Sequence, residues 1–197
     1  VVLVVGKFSG LGIEPAQPTI ERSQPQHAIQ ADHATADRAM GFCLFNNIAV
    51  AAAHALEDAG LSRVMIVDWD VHHGNGTEEI FYSDPGVLYF SSHQYPHYPG
   101  TGHWSEKGRA DGTGSIVNVP LEGGVGDEGF ARILQEIVGP AAWRFQPQML
   151  LVSAGYDAHW DDPLANIGLT LSGYDWLVRG LINLAKEICE GRIVFSL

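Results

Sequence analysis

The sequence predicts an α/β protein, a parallel sheet with helices on both faces, and three observations carry that prediction. Runs of strand length at 64–68, 87–91, 116–119, 149–153 and 192–196 are apolar throughout rather than alternating, as strands buried on both faces are. Stretches of helical character lie between them, at 44–59, 127–143 and 172–189. No internal repeat or linker divides the 197 residues, which suit one domain burying roughly 70% of its unfolded surface.

Residues 9–35 come first, with Pro15, Pro18, Pro25 and scattered glutamines but no period, and are expected to be irregular. The stretch 44–59, LFNNIAVAAAHALEDA, is alanine-rich with one apolar face and stops before Gly60, a residue that readily adopts the left-handed conformation closing a helix. The run Val64, Met65, Ile66, Val67 is the next strand. The stretch 127–143 opens on Asp127 and Glu128 and is expected to close near Pro140, whereas 172–189 opens on Ser172 and repeats apolar residues at helical spacing.

Composition narrows the function classes. An apolar content of 46% and a mean hydropathy near zero describe a soluble globular protein. A formal charge of −12 offers no uniform basic face for nucleic acid and favours cationic ligands over phosphates. The opening VVLVV is five residues long, lacks a basic flank and runs into Gly6 and Lys7, so neither a signal peptide nor a membrane span is expected. Cys43 and Cys189 lie far apart and form no metal-type pair, so a disulfide framework is not expected and a reducing cytoplasm fits. Starting on valine and ending inside the run RIVFSL, the chain is expected to be incomplete at one or both ends.

Ligands of such sheets bind beyond the carboxyl ends of the strands. The run at 64–67 delivers VDWDVHHGNGT, in which Asp68, Asp70 and His72 share one side if the chain stays extended. The run at 149–153 delivers SAGYDAHWDDP, and the run at 87–91 delivers SSHQYPHYPGTG. Taken singly, Asp68 and Asp70 read as caps or ion-pair partners and His72 or His73 as surface histidines. Their concentration at neighbouring strand ends points to metal instead. A catalytic zinc takes three nitrogen or oxygen ligands and keeps a fourth position for water, which Asp70, His72 and Asp157 satisfy. Two carboxylates and one imidazole also suit Fe2+ or Co2+.

The segments GFCLFNNIAVAA, VDWDVHHGNGTEEIFY, SSHQYPHYPGTG and LVSAGYDAHWDDPLANIGLT together resemble the zinc-dependent histone deacetylase superfamily. The likeness is strongest to its class II and bacterial members, which include acetylpolyamine amidohydrolases, and runs from about His33 to Leu197. It implies an arginase-deacetylase fold over 33–197, with 1–32 an unmatched N-terminal segment. It also implies hydrolysis of an acyl amide, whether acetylated lysine, acetylpolyamine or a small-molecule amide, with a homo-oligomer compatible. By the same resemblance Asp70, His72 and Asp157 are zinc ligands. His33, eight residues before Gly41, matches the general base, and Asn75 its supporting residue. Asp68 matches the aspartate that supports a preceding histidine, and Phe42 and Tyr98 match the walls of a substrate tunnel. A structural potassium ion is implied on the backbone carbonyls of Asp68, Asp70, His72 and Ser92 and the side chains of Asp68 and Ser91.

The chain departs from the pattern in two places. Asp32, in IQADHA, stands where the family carries its first active-site histidine. The family's glycine-glycine-tyrosine loop follows the last strand read here, whereas this sequence stops at Leu197. Losing one oxyanion donor costs on the order of 10² to 10³ in rate, so weak activity is expected. Asp32 beside Asp68 is expected either to raise a carboxyl pKa or to be pushed out of the site. Two alternatives stand beside deacetylation: a non-catalytic metal-binding remnant, and an arginase-like ureohydrolase. The latter needs a second metal with bridging carboxylates, and His159 occupies the position where one is looked for.

Overall fold

The computed structural model describes residues 2–5, by backbone alone, together with 32–41 and 43–197. Among the described residues one sheet holds β1 (Val2–Val5), β2 (Val64–Asp68), β3 (Val87–Gln94), β4 (Ile116–Leu121), β5 (Met149–Ser153) and β6 (Ile193–Ser196). Their order is β1-β6-β5-β2-β3-β4. The five strands read from the sequence pair in parallel. The exception is β1, which runs antiparallel to β6, so the sheet is not parallel throughout. Most of 9–35, expected to be irregular, lies outside the described residues.

The continuous apolar runs are explained by what covers each face. Met65, Val67, Leu88, Phe90, Leu150 and Val152 point into a cluster with α3 (Gly126–Ile133) and α5 (Leu171–Ile188). Val64, Ile66, Val87, Tyr89 and Leu151 point the other way, against α1 (Asn47–Glu57). Period two thus sends alternate residues to opposite buried faces, and each fully buried aliphatic side chain contributes roughly 1.5 to 3 kcal/mol.

Helix α1 is shorter than 44–59 because Asn46 caps it, its side-chain oxygen accepting from the Ala49 N–H at 2.9 Å. Leu44 and Phe45, included in the expected helix, lie before the cap and are exposed. The single helix expected over 127–143 divides into α3, a π-helical turn at Leu134–Val138, and α4 (Gly139–Phe145). Pro140 therefore starts a helix instead of ending one. Proline has no N–H for the preceding turn, and the wider turn absorbs the mismatch, with the Gly139 N–H donating to the Leu134 carbonyl. One helix was not expected at all: α2 (Asn75–Phe81), directly after the VDWDVHHG run.

Candidate metal centre

Strand β2 ends at Asp68, so the extended path expected through His72 stops there. Side-chain to backbone bonds then curl the chain. Asp68 Oδ1 accepts from the Asp70 N–H at 3.0 Å, and Asp70 Oδ1 from the His72 N–H at 2.7 Å. From the end of β5, Asp157 Oδ1 accepts the Val71 N–H at 2.9 Å. These bonds place His72 Nδ1 3.1 Å from Asp70 Oδ1 and 2.9 Å from Asp157 Oδ2. One ligand atom from each of the three residues lies within 4.8 Å of the others.

Burial alone lowers the His72 pKa, but the Asp157 and Asp70 carboxylates outweigh it and push the imidazole up to about 10. Burial pushes the Asp70 carboxyl up, opposed by its hydrogen bond from His72. The proton of this group therefore sits on His72 Nδ1, between two carboxylate oxygens. A divalent metal binds such a donor set by displacing that proton, so the residues present fit zinc. Among the described residues no second group of three such side chains comes together, as a dinuclear ureohydrolase would need.

Asp32 and His33 are almost fully buried, each 1% exposed. Asn46 Nδ2 donates to the carbonyls of Asp32 and Ala34, both at 3.1 Å, and the Thr77 N–H of α2 donates to the Asp32 carbonyl. Gly41, at φ +60, lies against His33, where an added Cβ would collide with the imidazole ring. Asn75 Oδ1 lies 2.9 Å from His33 Nδ1, so Nδ1 carries the proton and Nε2 the lone pair. Nε2 has no hydrogen-bond partner among the described residues. The His33 ring stands edge-on to His72 at 6.0 Å and to Tyr98 at 5.4 Å. A buried imidazole nitrogen thus lies close to the group formed by Asp70, His72 and Asp157.

Asp32 has not been expelled. Ser153 Oγ donates to its Oδ2 at 3.1 Å, while its Oδ1 lies 3.9 Å from His33 Nε2 without a hydrogen-bond partner among the described residues. The strain appears on Asp68, whose carboxyl is pushed well above its usual range by burial and then by the charges of Asp32 and Asp70. Tyr89 donates to Asp68 Oδ2 at 2.8 Å.

Tyr98 is half exposed at the mouth of this group, while Phe42, its expected partner across a tunnel, lies outside the described residues. Ser91 is in register with Asp68, and Ser92 Oγ donates to the Asp68 carbonyl at 3.4 Å, which brings part of the expected potassium cluster together. Sequence reasoning missed Ser153, Tyr89 and Asn46, and it missed His97, whose ring stacks on His72 at 5.2 Å. Only the strand register could have revealed Ser153, since Ser153 pairs with Asp68 across β2 and β5.

Known proteins resemble this chain. The histone deacetylase domain family matches residues 20–197. Histone deacetylase 14, chloroplastic, of Arabidopsis thaliana is 50% identical over 165 residues, covering 84% of this chain and 39% of that protein. A probable deacetylase of Archaeoglobus fulgidus is 46% identical over 154 residues, 78% of this chain and 43% of that protein. The crystal structure of the HDA15 HD domain superposes with a TM-score of 0.78 at 45% identity, covering 83% of this chain and 46% of that one. The chain spans less than half the length of these relatives.

Proposed function

Because the chain belongs to the histone deacetylase domain family, we propose that it supplies the metal-binding part of a catalytic domain that hydrolyses acyl amides. The observation that carries this reading is the buried Nε2 of His33, facing a group in which Asp70 and Asp157 flank His72 Nδ1. Zinc bound by Asp70, His72 and Asp157 would supply Lewis acidity toward the acyl oxygen and acidify water, chemistry that Fe2+ or Co2+ held by the same donors shares.

His33 Nε2 accepts a proton from the attacking water and returns it to the leaving amine as the C–N bond breaks. Asn75 fixes the tautomer that this requires. Tyr98 borders the approach of an extended acyl-amine, whether acetylated lysine, polyamine or small amide. Asp32 works against the reaction, because a carboxylate beside the developing oxyanion raises the barrier, so turnover is weak. Potassium, if bound, would be held by Asp68, Ser91 and Ser92 and would stiffen the floor of the site.

Metal analysis and turnover on an acetyl-lysine coumarin substrate test the reading. One zinc per chain with slow turnover is expected, and Asp32→His should raise kcat far more than it changes KM. A chain that takes up no zinc overturns the proposal. Zinc uptake without turnover, unrelieved by Asp32→His, would favour the non-catalytic metal-binding remnant, the reading that Asp32 itself recommends.

A further inference from the structure

We propose that His73 and His93, which the hydrolytic chemistry does not use, are positioning residues that strap the Tyr98 loop onto the ligand-bearing end of β2. The proposal rests on the functional reading above for the meaning of Tyr98, though the strap itself is a matter of geometry. After β3 the chain runs through residues 95–102, carrying Tyr98 to the mouth of the metal group. Two buried imidazoles hold the far end of that loop. His73 Nδ1 lies 2.7 Å from Thr101 Oγ, and His93 Nε2 donates to the Gly102 carbonyl at 2.9 Å. Gly102, at φ +88, lies so close to both rings that a Cβ there would collide with each. The backbone rests directly on the two histidines.

Each imidazole is itself fixed from behind. Glu78 Oε2, on α2, lies 3.0 Å from His73 Nε2 and accepts from Asn118 Nδ2 of β4 at 2.6 Å. With the carboxylate accepting, His73 Nε2 carries a proton and Nδ1 is left to accept from the Thr101 hydroxyl. The Ser91 hydroxyl lies 3.0 Å from His93 Nδ1, completing a second chain, Ser91 to His93 to Gly102. A cleft of about 270 Å³ opens beside this strap, lined among others by His73, Glu78, Thr101 and Glu106. Apolar packing therefore does not hold Thr101 on that side, and its position depends on the hydrogen bond. Because His73 follows the ligand His72 directly, the wall formed by Tyr98 is indexed to the metal group rather than to solvent.

The test compares Thr101→Val with Thr101→Ser in the full chain. Valine should speed amide exchange across 95–102 by about tenfold, the loss of one partly buried hydrogen bond, leave β2 and β5 unchanged, and be reversed by serine. On the zinc-loaded protein, the same valine variant should weaken octanohydroxamate about tenfold and acetohydroxamate less than twofold. Only the longer probe reaches the Tyr98 wall. His93→Phe, which removes the donor to Gly102, should act in the same direction if the valine variant does not fold. Unchanged loop exchange in the variants, or equal weakening of both hydroxamates, overturns the strap. A parent chain that binds neither hydroxamate sinks the metal reading, and the exchange measurement then decides the strap by itself.

Discussion

Two histidines at the site sit beside pairs of acids, and they meet opposite fates. His72 lies 3.1 Å from Asp70 and 2.9 Å from Asp157, so each carboxylate has a cationic partner and the three form one group. His33 lies beside Asp32, whose charge also acts on Asp68, but its Nδ1 is taken by Asn75 and its Nε2 stays 3.9 Å from Asp32 Oδ1. Among the described residues the second pair of carboxylates has no cationic partner, and only neutral donors, the Ser153 and Tyr89 hydroxyls and the Asp70 backbone N–H, offset its repulsion. An acid pair buried around a shared proton makes a cation site, whereas one buried beside an imidazole already committed elsewhere is a local cost. The first arrangement offers a donor set that a metal could occupy, and the second leaves His33 Nε2 without a hydrogen-bond partner among the described residues.

That contrast can be broken or sharpened by substitution. The largest effect belongs to the first group: Asp157→Ala should lower zinc affinity by at least about 100-fold in a chelator competition, exceeding what loss of a supporting partner does. Unaltered affinity would remove Asp157 from the ligand set. A third histidine gives the reference case of an imidazole with no carboxylate beside it. Burial above all lowers His93 to about 3. A histidine neutral in the fold but protonatable when unfolded stabilises fully above pH 6.5, and that contribution is lost as pH falls toward its folded value. Denaturant titrations should therefore show about 1.4 kcal/mol lost per pH unit below pH 6.5, beyond the loss seen in His93→Gln. Parallel pH profiles would contradict this. The smallest effect is at the second acid pair. Asp32→Asn should stabilise the fold by about 1 kcal/mol at pH 7, because an amide donor replaces a repelling oxygen, whereas Asp70→Asn should not. Destabilisation by Asp32→Asn would mean that the carboxylate is compensated by a contact outside the described residues.

The legible part of the molecule is the part governed by local pattern. Strands β2, β3 and β5 announced themselves because both faces are buried and their sequences are apolar without interruption. Asp70, His72 and Asp157 were legible for the same reason, since they follow two of those runs directly. Helix α2 was not, because its seven residues begin Asn75-Gly76 and are held by tertiary contacts such as the bond between Thr77 and Asn46. The break at the π-helical turn was missed because Pro140 reads as a stop unless the preceding turn is known to widen. The polar contacts behind the site were illegible in principle. His73 with Thr101, Glu78 with Asn118 and Asp32 with Ser153 join residues 28, 40 and 121 positions apart, beyond any periodicity.

The bond from Val71 to Asp157 spans 86 residues of chain, with α2, β3, β4, α3, α4 and β5 threaded between them. The ligand group consequently requires the non-local pairing of a parallel sheet, which is intrinsically slow. A metal that recognises the finished group acts as a thermodynamic sink for newly made chains, worth about 2.7 kcal/mol at a free concentration one hundred times its Kd. Zinc supply during synthesis would then set what fraction of molecules survives proteolysis to become native, before any substrate is encountered.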